Sequence, residues 1–172
     1  MAQVLQQPQP QPQPQPPLVP QPQPQPDTAA PLVTSVSLTN TVFRGGSLLA
    51  RLTAARRAIP TGTTIRWRVN ERSRSTLSFS RLVTGRRVGR RCLANTRARR
   101  FRPRCTRKLS PKRITYTTAP GLRRLRFQGR LSRTRRLSPG RYELAIQAVD
   151  AAGNRSRTVR KRFRLLAALR RR

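Results

Sequence analysis

The chain has no histidine and only four acidic residues, Asp27, Glu71, Glu143 and Asp150, among 172 positions. Proton transfer at neutral pH is usually carried by histidine or by a carboxylate of tuned acidity. Histidine triads, paired-carboxylate hydrolysis and histidine-ligated metals are therefore excluded or nearly so. Calcium takes six to eight oxygen ligands, which so few acids do not supply. Cys92 and Cys105, the only cysteines, cannot close a tetrahedral zinc site without histidine. The absences predict a non-catalytic protein with no cofactor and no metal. No stretch approaches the ~20 apolar residues of a membrane helix. Met1–Gln7 shows neither the basic start nor the apolar run of a signal peptide.

Positive charge is abundant. There are 39 Lys and Arg, giving a formal net charge of +35. Only Lys108, Lys112 and Lys161 are lysine; the other 36 are arginine. Arginine is the better bidentate ligand of phosphate and carboxylate, and such an excess is the footprint of a polyanion binder. A basic codon bias spread over a solvated surface yields the same composition, so charge alone does not choose between the two.

Residues 6–26 alternate Gln and Pro, with ten of the 16 prolines in that stretch. Proline at every second position removes amide donors and fixes φ. Residues 1–30 are thus predicted to form a disordered linker, whose extended Gln–Pro segment 6–26 reaches on the order of 60–70 Å. The composition breaks at Asp27–Pro31, and no Lys or Arg precedes Arg44.

Beyond the break, apolar and polar residues alternate with the period of half-buried antiparallel strands. In Thr64–Asn70, Ile65, Trp67 and Val69 face one way and Arg66 and Arg68 the other. Arg141–Asp150 places Tyr142, Leu144, Ile146 and Ala148 on one face. Near the C-terminus Val159, Lys161, Phe163 and Leu165 alternate with Arg160, Arg162 and Arg164. Weaker strand patterns cover Leu32–Thr39, Ser75–Val83, Lys112–Thr117 and Arg123–Arg130. Turn residues punctuate the chain at Thr84-Gly85, Pro120-Gly121, Pro139-Gly140 and Gly153-Asn154. Leu48–Arg57 reads as a helical turn or an irregular loop. About seven strands at this spacing predict an all-β sandwich over residues 31–166, followed by a basic tail at 167–172.

The run Leu137-Ser138-Pro139-Gly140-Arg141-Tyr142, leading to Asp150-Ala151-Ala152-Gly153-Asn154-Arg155-Ser156, resembles the last two strands of fibronectin type III-like or bacterial immunoglobulin-like domains of exported proteins. Trp67 resembles the core Trp of strand B. The run Gly85-Arg86-Arg87-Val88-Gly89-Arg90-Arg91-Cys92 is similar to a pattern in such domains from GC-rich bacteria. The resemblance implies a tyrosine corner at Tyr142, structural roles for Gly153 and Asn154, and an adhesive, spacer or substrate-binding module without catalysis.

Cys92 and Cys105 enclose twelve residues, five of them arginine (97, 99, 100, 102 and 104). That spacing fits neither a redox C-x-x-C pair nor a zinc knuckle. We expect a disulfide that staples the Arg-rich loop, contributing ~3 kcal/mol by the chain-entropy estimate. Disulfides persist outside the cytosol, so the pair predicts an extracellular or cell-surface location. Arg66, Arg68, Arg97, Arg99, Arg100, Arg160, Arg162 and Arg164 are the candidate polyanion contacts. If the strands of Arg66 and Arg162 share a sheet, their arginine rows form one basic face. Candidate partners are anionic cell-wall polymers, lipid head groups and nucleic acid. Nucleic-acid readers interleave exposed aromatics, and only Phe101 is free of the inward register. An intracellular nucleic-acid binder and an accessory domain of a larger exported enzyme are the rival readings.

Overall fold

The computed structural model describes residues 27–46, 51–52 and 61–168. The whole Gln–Pro stretch, most of Leu48–Arg57 and the last four residues of the tail lie outside them. Two sheets face one another. The smaller has strand order β1-β4-β9-β3, formed by β1 (Val33–Leu38), β4 (Thr63–Val69), β9 (Gly121–Phe127) and β3 (Arg51–Leu52). The larger runs β2-β11-β10-β5-β6, from β2 (Val42–Arg44), β11 (Val159–Leu166), β10 (Gly140–Val149), β5 (Ser73–Val88) and β6 (Arg91–Ala94). In addition, β7 (Arg104–Lys108) and β8 (Lys112–Thr118) pair with β5. The fold is an all-β sandwich.

The alternation in the sequence sets which face is dry. Ile65, Trp67 and Val69 of β4 are buried while Arg66 and Arg68 between them are exposed. They meet Leu77 and Phe79 of β5, Leu144, Ile146 and Ala148 of β10, and Phe163 and Leu165 of β11, all buried. Phe79 stacks on Phe127 across the two sheets at 4.8 Å between ring centroids, and Tyr142 and Phe43 both stack on Phe163 at 5.4 Å. Such ring pairs contribute about 0.5–1.5 kcal/mol each beyond their burial.

The Trp67 indole N–H is satisfied inside this core. It donates to Ser75 Oγ at 3.3 Å; Ser75 Oγ lies 3.1 Å from Thr118 Oγ1, which donates to the Ser73 carbonyl at 3.1 Å. A buried polar group costs stability unless it is hydrogen-bonded, so this chain lets a tryptophan sit wholly indoors.

The fold class is as expected, and the structure departs from the sequence expectation in its details. The described residues form eleven strands rather than about seven, and β2 runs parallel to β11. The N-terminal segment serves both sheets: β1 pairs with β4, then Asn40 bonds across to Gly62 and Thr63 as the chain crosses to β11. In β1 a register shift between Thr34 and Ser37, with Ser35 at φ +52, lets both Val33 and Val36 point inward. Thr84-Gly85 is no turn but the interior of β5, which runs 16 residues. Finally, Asp27–Ala30 is no free linker: Asn154 Nδ2 donates to the carbonyls of Asp27 and Ala29 at 2.9 and 3.2 Å.

Truncation of Trp67 removes the largest buried side chain and takes away the donor that Ser75 Oγ accepts from. Trp67→Ala should cost about 3–5 kcal/mol, read as a lower urea midpoint with an unchanged slope.

Candidate polyanion interface

Past Leu82, β5 leaves its partner β10, whose register ends at the Arg141–Leu82 pair. The strand continues to Val88 as the spine of an arm, flanked by β6 on one side and β7 on the other. Gly89, at φ +56, turns the chain from β5 into β6. A left-handed residue is what a tight hairpin turn requires there. The Arg97–Arg99 3-10 turn then leads back to β7. No buried core residue comes from residues 83–108. The arm therefore needs other means of holding its shape.

The first is covalent. Cys92 on β6 and Cys105 on β7 are bonded, with Cα atoms 6.0 Å apart. Neighbours on either side of a flat central strand sit roughly 9.5 Å apart. The arm is therefore curled, and the bridge passes over β5 at Gly85, which pairs with Ala94 of β6 and Cys105 of β7. A Cβ at Gly85 would lie 2.6 Å from Cys92 Sγ and 2.6 Å from the Leu93 carbonyl oxygen. The second is polar. The Arg86 guanidinium donates to Asn95 Oδ1 at 2.9 Å and to the Arg102 carbonyl at 2.8 Å, tying the returning loop to the spine.

Between Val83 and Lys108 there are eleven cations and no carboxylate. Arg97 and Arg100 are exposed, whereas Arg99 is half-buried and donates to the Ala94 carbonyl. Phe101 is 86% exposed, with the Arg100 guanidinium 4.5 Å from its ring centroid. Cation–aromatic contacts in water contribute only ~0.5–1 kcal/mol, so Phe101 is left in solvent by position rather than by a strong local bond. The other phenylalanines, Trp67 and Tyr142 are buried.

The remaining candidates do not form one face. Arg66 and Arg68 lie on β4 of the smaller sheet, Arg160, Arg162 and Arg164 on β11 of the larger. The two rows point to opposite outer surfaces, because the residues between them point into the shared core. Arg66 sits directly across from Arg124 and Arg164 across from Arg141. Glu143 anchors the larger sheet's outer surface: its carboxylate meets Lys108 at 2.6 Å, Arg160 at 3.6 Å and Arg162 at 3.9 Å, and its side chain is 9% exposed. These are the only ion pairs among the described residues.

The three other acids gather at one end of the sandwich. Asp27, Glu71 and Asp150 bring their carboxylate oxygens within 4.8 Å of one another. Three carboxylates fall short of a calcium shell. Their visible role is local. Asn154 N–H and Nδ2–H donate to the two Asp150 oxygens at 2.9 Å each, while Gly153 takes φ +90 beside it. Burial pushes the Asp150 carboxyl up, but hydrogen bonds from Asn154 and from the Gly153 and Ala152 amides outweigh it, and the net position is below the usual carboxylate value. Tyr142 Oη donates to the Ser138 carbonyl at 2.7 Å, four residues back, which is the geometry of a tyrosine corner. Burial raises the Tyr142 phenol, against the lowering influence of nearby Arg81 and of that bond to Ser138.

Sequence reasoning located the cystine, Phe101 and the turn at Gly153-Asn154. It did not find the Arg86 brace, the Asp27 strap or the role of Glu143, because each depends on partners 9 to 127 residues away. Gly85 carried a signal that was assigned to the wrong cause: a glycine inside a run of strand residues marks close approach of other atoms as well as a turn.

Gly85→Ala should destabilise by about 1–3 kcal/mol, since the added methyl meets a backbone oxygen that cannot step aside; chemical denaturation and free-thiol titration read this out. The lowered Asp150 pKa means the unfolded chain binds the proton first, so this group's stabilisation is present above about pH 4 and is lost as pH falls through its folded value. Asp150→Asn should flatten the acid limb of a thermal-unfolding profile below that pH and lower stability at neutrality. No protein-family model matches the chain, and no curated protein is significantly similar to it.

Proposed function

We propose that this chain is a non-catalytic interaction module of an exported protein, an immunoglobulin- or fibronectin III-like sandwich that offers a cystine-braced arginine arm to anionic polymers. One observation carries this reading: eleven cations and no carboxylate held on a curled, cross-linked arm outside the core. A solvated surface needs no such bracing. Ordering like charges before contact lowers the entropy lost on binding, and arginine forks suit phosphate and carboxylate groups. The family resemblance gains support from the Tyr142–Ser138 corner and from a β2 strand that switches sheets to run parallel to β11. The disulfide fits an oxidising compartment, hence a place outside the cell or at its surface. Among the described residues no helix is long and apolar enough to cross a membrane.

A second reading has its own support. Phe101, exposed beside Arg100, is the kind of ring on which a nucleobase stacks. One ring is a thin platform, so we place nucleic acid second.

The test is fluorescence anisotropy of labelled long-chain polyphosphate, and separately of single-stranded DNA of two unrelated sequences, as salt is raised. The expected result is weak binding, indifferent to sequence and removed by ~0.3 M salt. The triple variant Arg97→Gln, Arg100→Gln, Arg102→Gln should reduce the slope of log affinity against log salt by about two to three. Submicromolar binding to one DNA sequence at moderate salt, lost with Phe101→Ala, would move the assignment to nucleic acid. Failure to bind any polyanion at low salt would remove both readings.

A further inference from the structure

The larger sheet carries a second basic feature that the arm does not explain. One row crosses it from edge to edge, each residue directly opposite the next: Val42 on β2, Arg164 on β11, Arg141 on β10, Leu82 on β5 and Lys108 on β7. Arg162 stands two residues along β11, in the next row on the same face, opposite Glu143. Val42, Leu82, Arg141, Arg162 and Arg164 line a groove of about 760 Å³, together with the paired Thr84 and Thr106 at the base of the arm. Cavities of roughly 300–1,000 Å³ hold small molecules or single units of a polymer.

The placement of charge in this groove is unfavourable as it stands. Directly opposed side chains on neighbouring strands sit with Cβ atoms ~4.5–5.5 Å apart, and like charges there destabilise the sheet. Arg141 and Arg164 are such a pair, and both are exposed. Among the described residues neither makes an ion pair or a side-chain hydrogen bond. The nearest acid on the row beside them, Glu143, is already shared by Lys108, Arg160 and Arg162. Arg162 is held to it only at 3.9 Å, so its guanidinium is free to turn toward the groove.

We propose that Arg141, Arg164 and Arg162 form a subsite for a phosphoryl group, a phosphomonoester or phosphodiester, whose organic portion rests on Val42 and Leu82. A shared anion converts the repulsion between Arg141 and Arg164 into two charge-assisted contacts. Phosphate suits three guanidinium forks better than carboxylate does, because its oxygens are arranged tetrahedrally whereas a carboxylate offers two in one plane. Val42 is 56% exposed, an apolar ledge immediately beside Arg164. The threonine hydroxyls opposite offer neutral donors and acceptors for a hydroxylated carrier. The subsite deepens the polyanion reading and rests on it, since the groove runs into the base of the arm and gives a polymer one anchored unit. The same chemistry is found in a soluble phosphodiester polymer and in a phospholipid head group.

The probe is sodium pyrophosphate, titrated calorimetrically into the full chain at constant ionic strength, with thermal unfolding in parallel. Saturable one-site binding is expected, tighter than for sulfate or acetate. Arg141→Gln and Arg164→Gln should each weaken it at least about tenfold. In the absence of any phosphate, Arg164→Gln should unfold at a higher temperature than the parent chain, because a like-charge pair is gone; a merely structural arginine would do the opposite. The arm triple variant should leave pyrophosphate binding unchanged. Equal loss in the arm variant and the groove variants, or acetate binding as tightly as pyrophosphate, would overturn the subsite. Retention of long-chain polyphosphate binding with its salt dependence in the groove variants would show that the arm reading survives without the subsite. Loss of polyphosphate binding in the parent chain while pyrophosphate still binds would leave the subsite standing and sink the polymer reading. Groove-dependent sedimentation with phosphatidic acid vesicles marks a lipid source; groove-dependent binding of glycerol 3-phosphate without sedimentation marks a soluble one. Either result supports the subsite.

Discussion

Everything in this molecule depends on keeping one interior dry while nearly every strand carries guanidinium groups on its other face. The two sheets close over Trp67, Phe79, Phe127 and Phe163, and the period of two in β4, β10 and β11 delivers each ring to that seam. Burial of a large apolar side chain contributes a few kcal/mol. A surface arginine left in water costs far less than a buried one, so strict alternation tolerates a net charge of +35. Where alternation breaks, in β1, a bulge restores it by turning Val36 inward.

With four carboxylates in the chain, the way they are placed shows where repulsion matters most to the fold. Glu143 sits under three cations in the middle of the larger sheet. The other three meet at one end, where Asn154 gathers the entering chain, the β10 turn and Asp150 into one knot. Only Glu143 reaches the arm, through Lys108 at the end of β7. There the chain relies on a covalent bridge over Gly85 and on Arg86 reaching backbone and amide oxygens. Guanidinium groups satisfied by carbonyl oxygens keep their full charge, so the arm is ordered without being neutralised.

That difference connects structure to the proposed role. A sheet surface balanced by Glu143 is stable on its own; an arm without acids and a groove with facing arginines are stabilised further by an anion. Preorganisation by the cystine raises the local concentration of forks at no further ordering cost, and the groove supplies geometry that diffuse charge lacks. In the proposed role the arm favours any polyanion, while the groove discriminates by the shape of one anionic group. Electrostatic attraction of the first kind speeds encounter, and a fitted contact of the second kind slows release.

The β sandwich was legible because Ile65–Val69, Tyr142–Ala148 and Val159–Leu165 each encode their buried face in adjacent residues, and a period of two needs no knowledge of the partner strand. The cystine, the turn at Gly153-Asn154 and the exposure of Phe101 were legible for the same reason: composition and spacing are local. The short strands β2, β3 and β7 were not, because they are held by partners distant in sequence, and β6 was not, because its four residues carry no apolar alternation. The reading of Thr84-Gly85 as a turn failed since a glycine excluded by an approaching sulfur looks, in one dimension, like a glycine chosen for positive φ. By itself, then, the sequence determined an all-β chain with a charged exterior, an aromatic interior, no histidine and four acidic residues. Only the tertiary structure decided that Arg66 and Arg162 lie on opposite surfaces, that Arg141 faces Arg164, and that three distant acids meet. Strand order and register fix those distances, and a pattern of alternation says which way a side chain points but not what stands beside it.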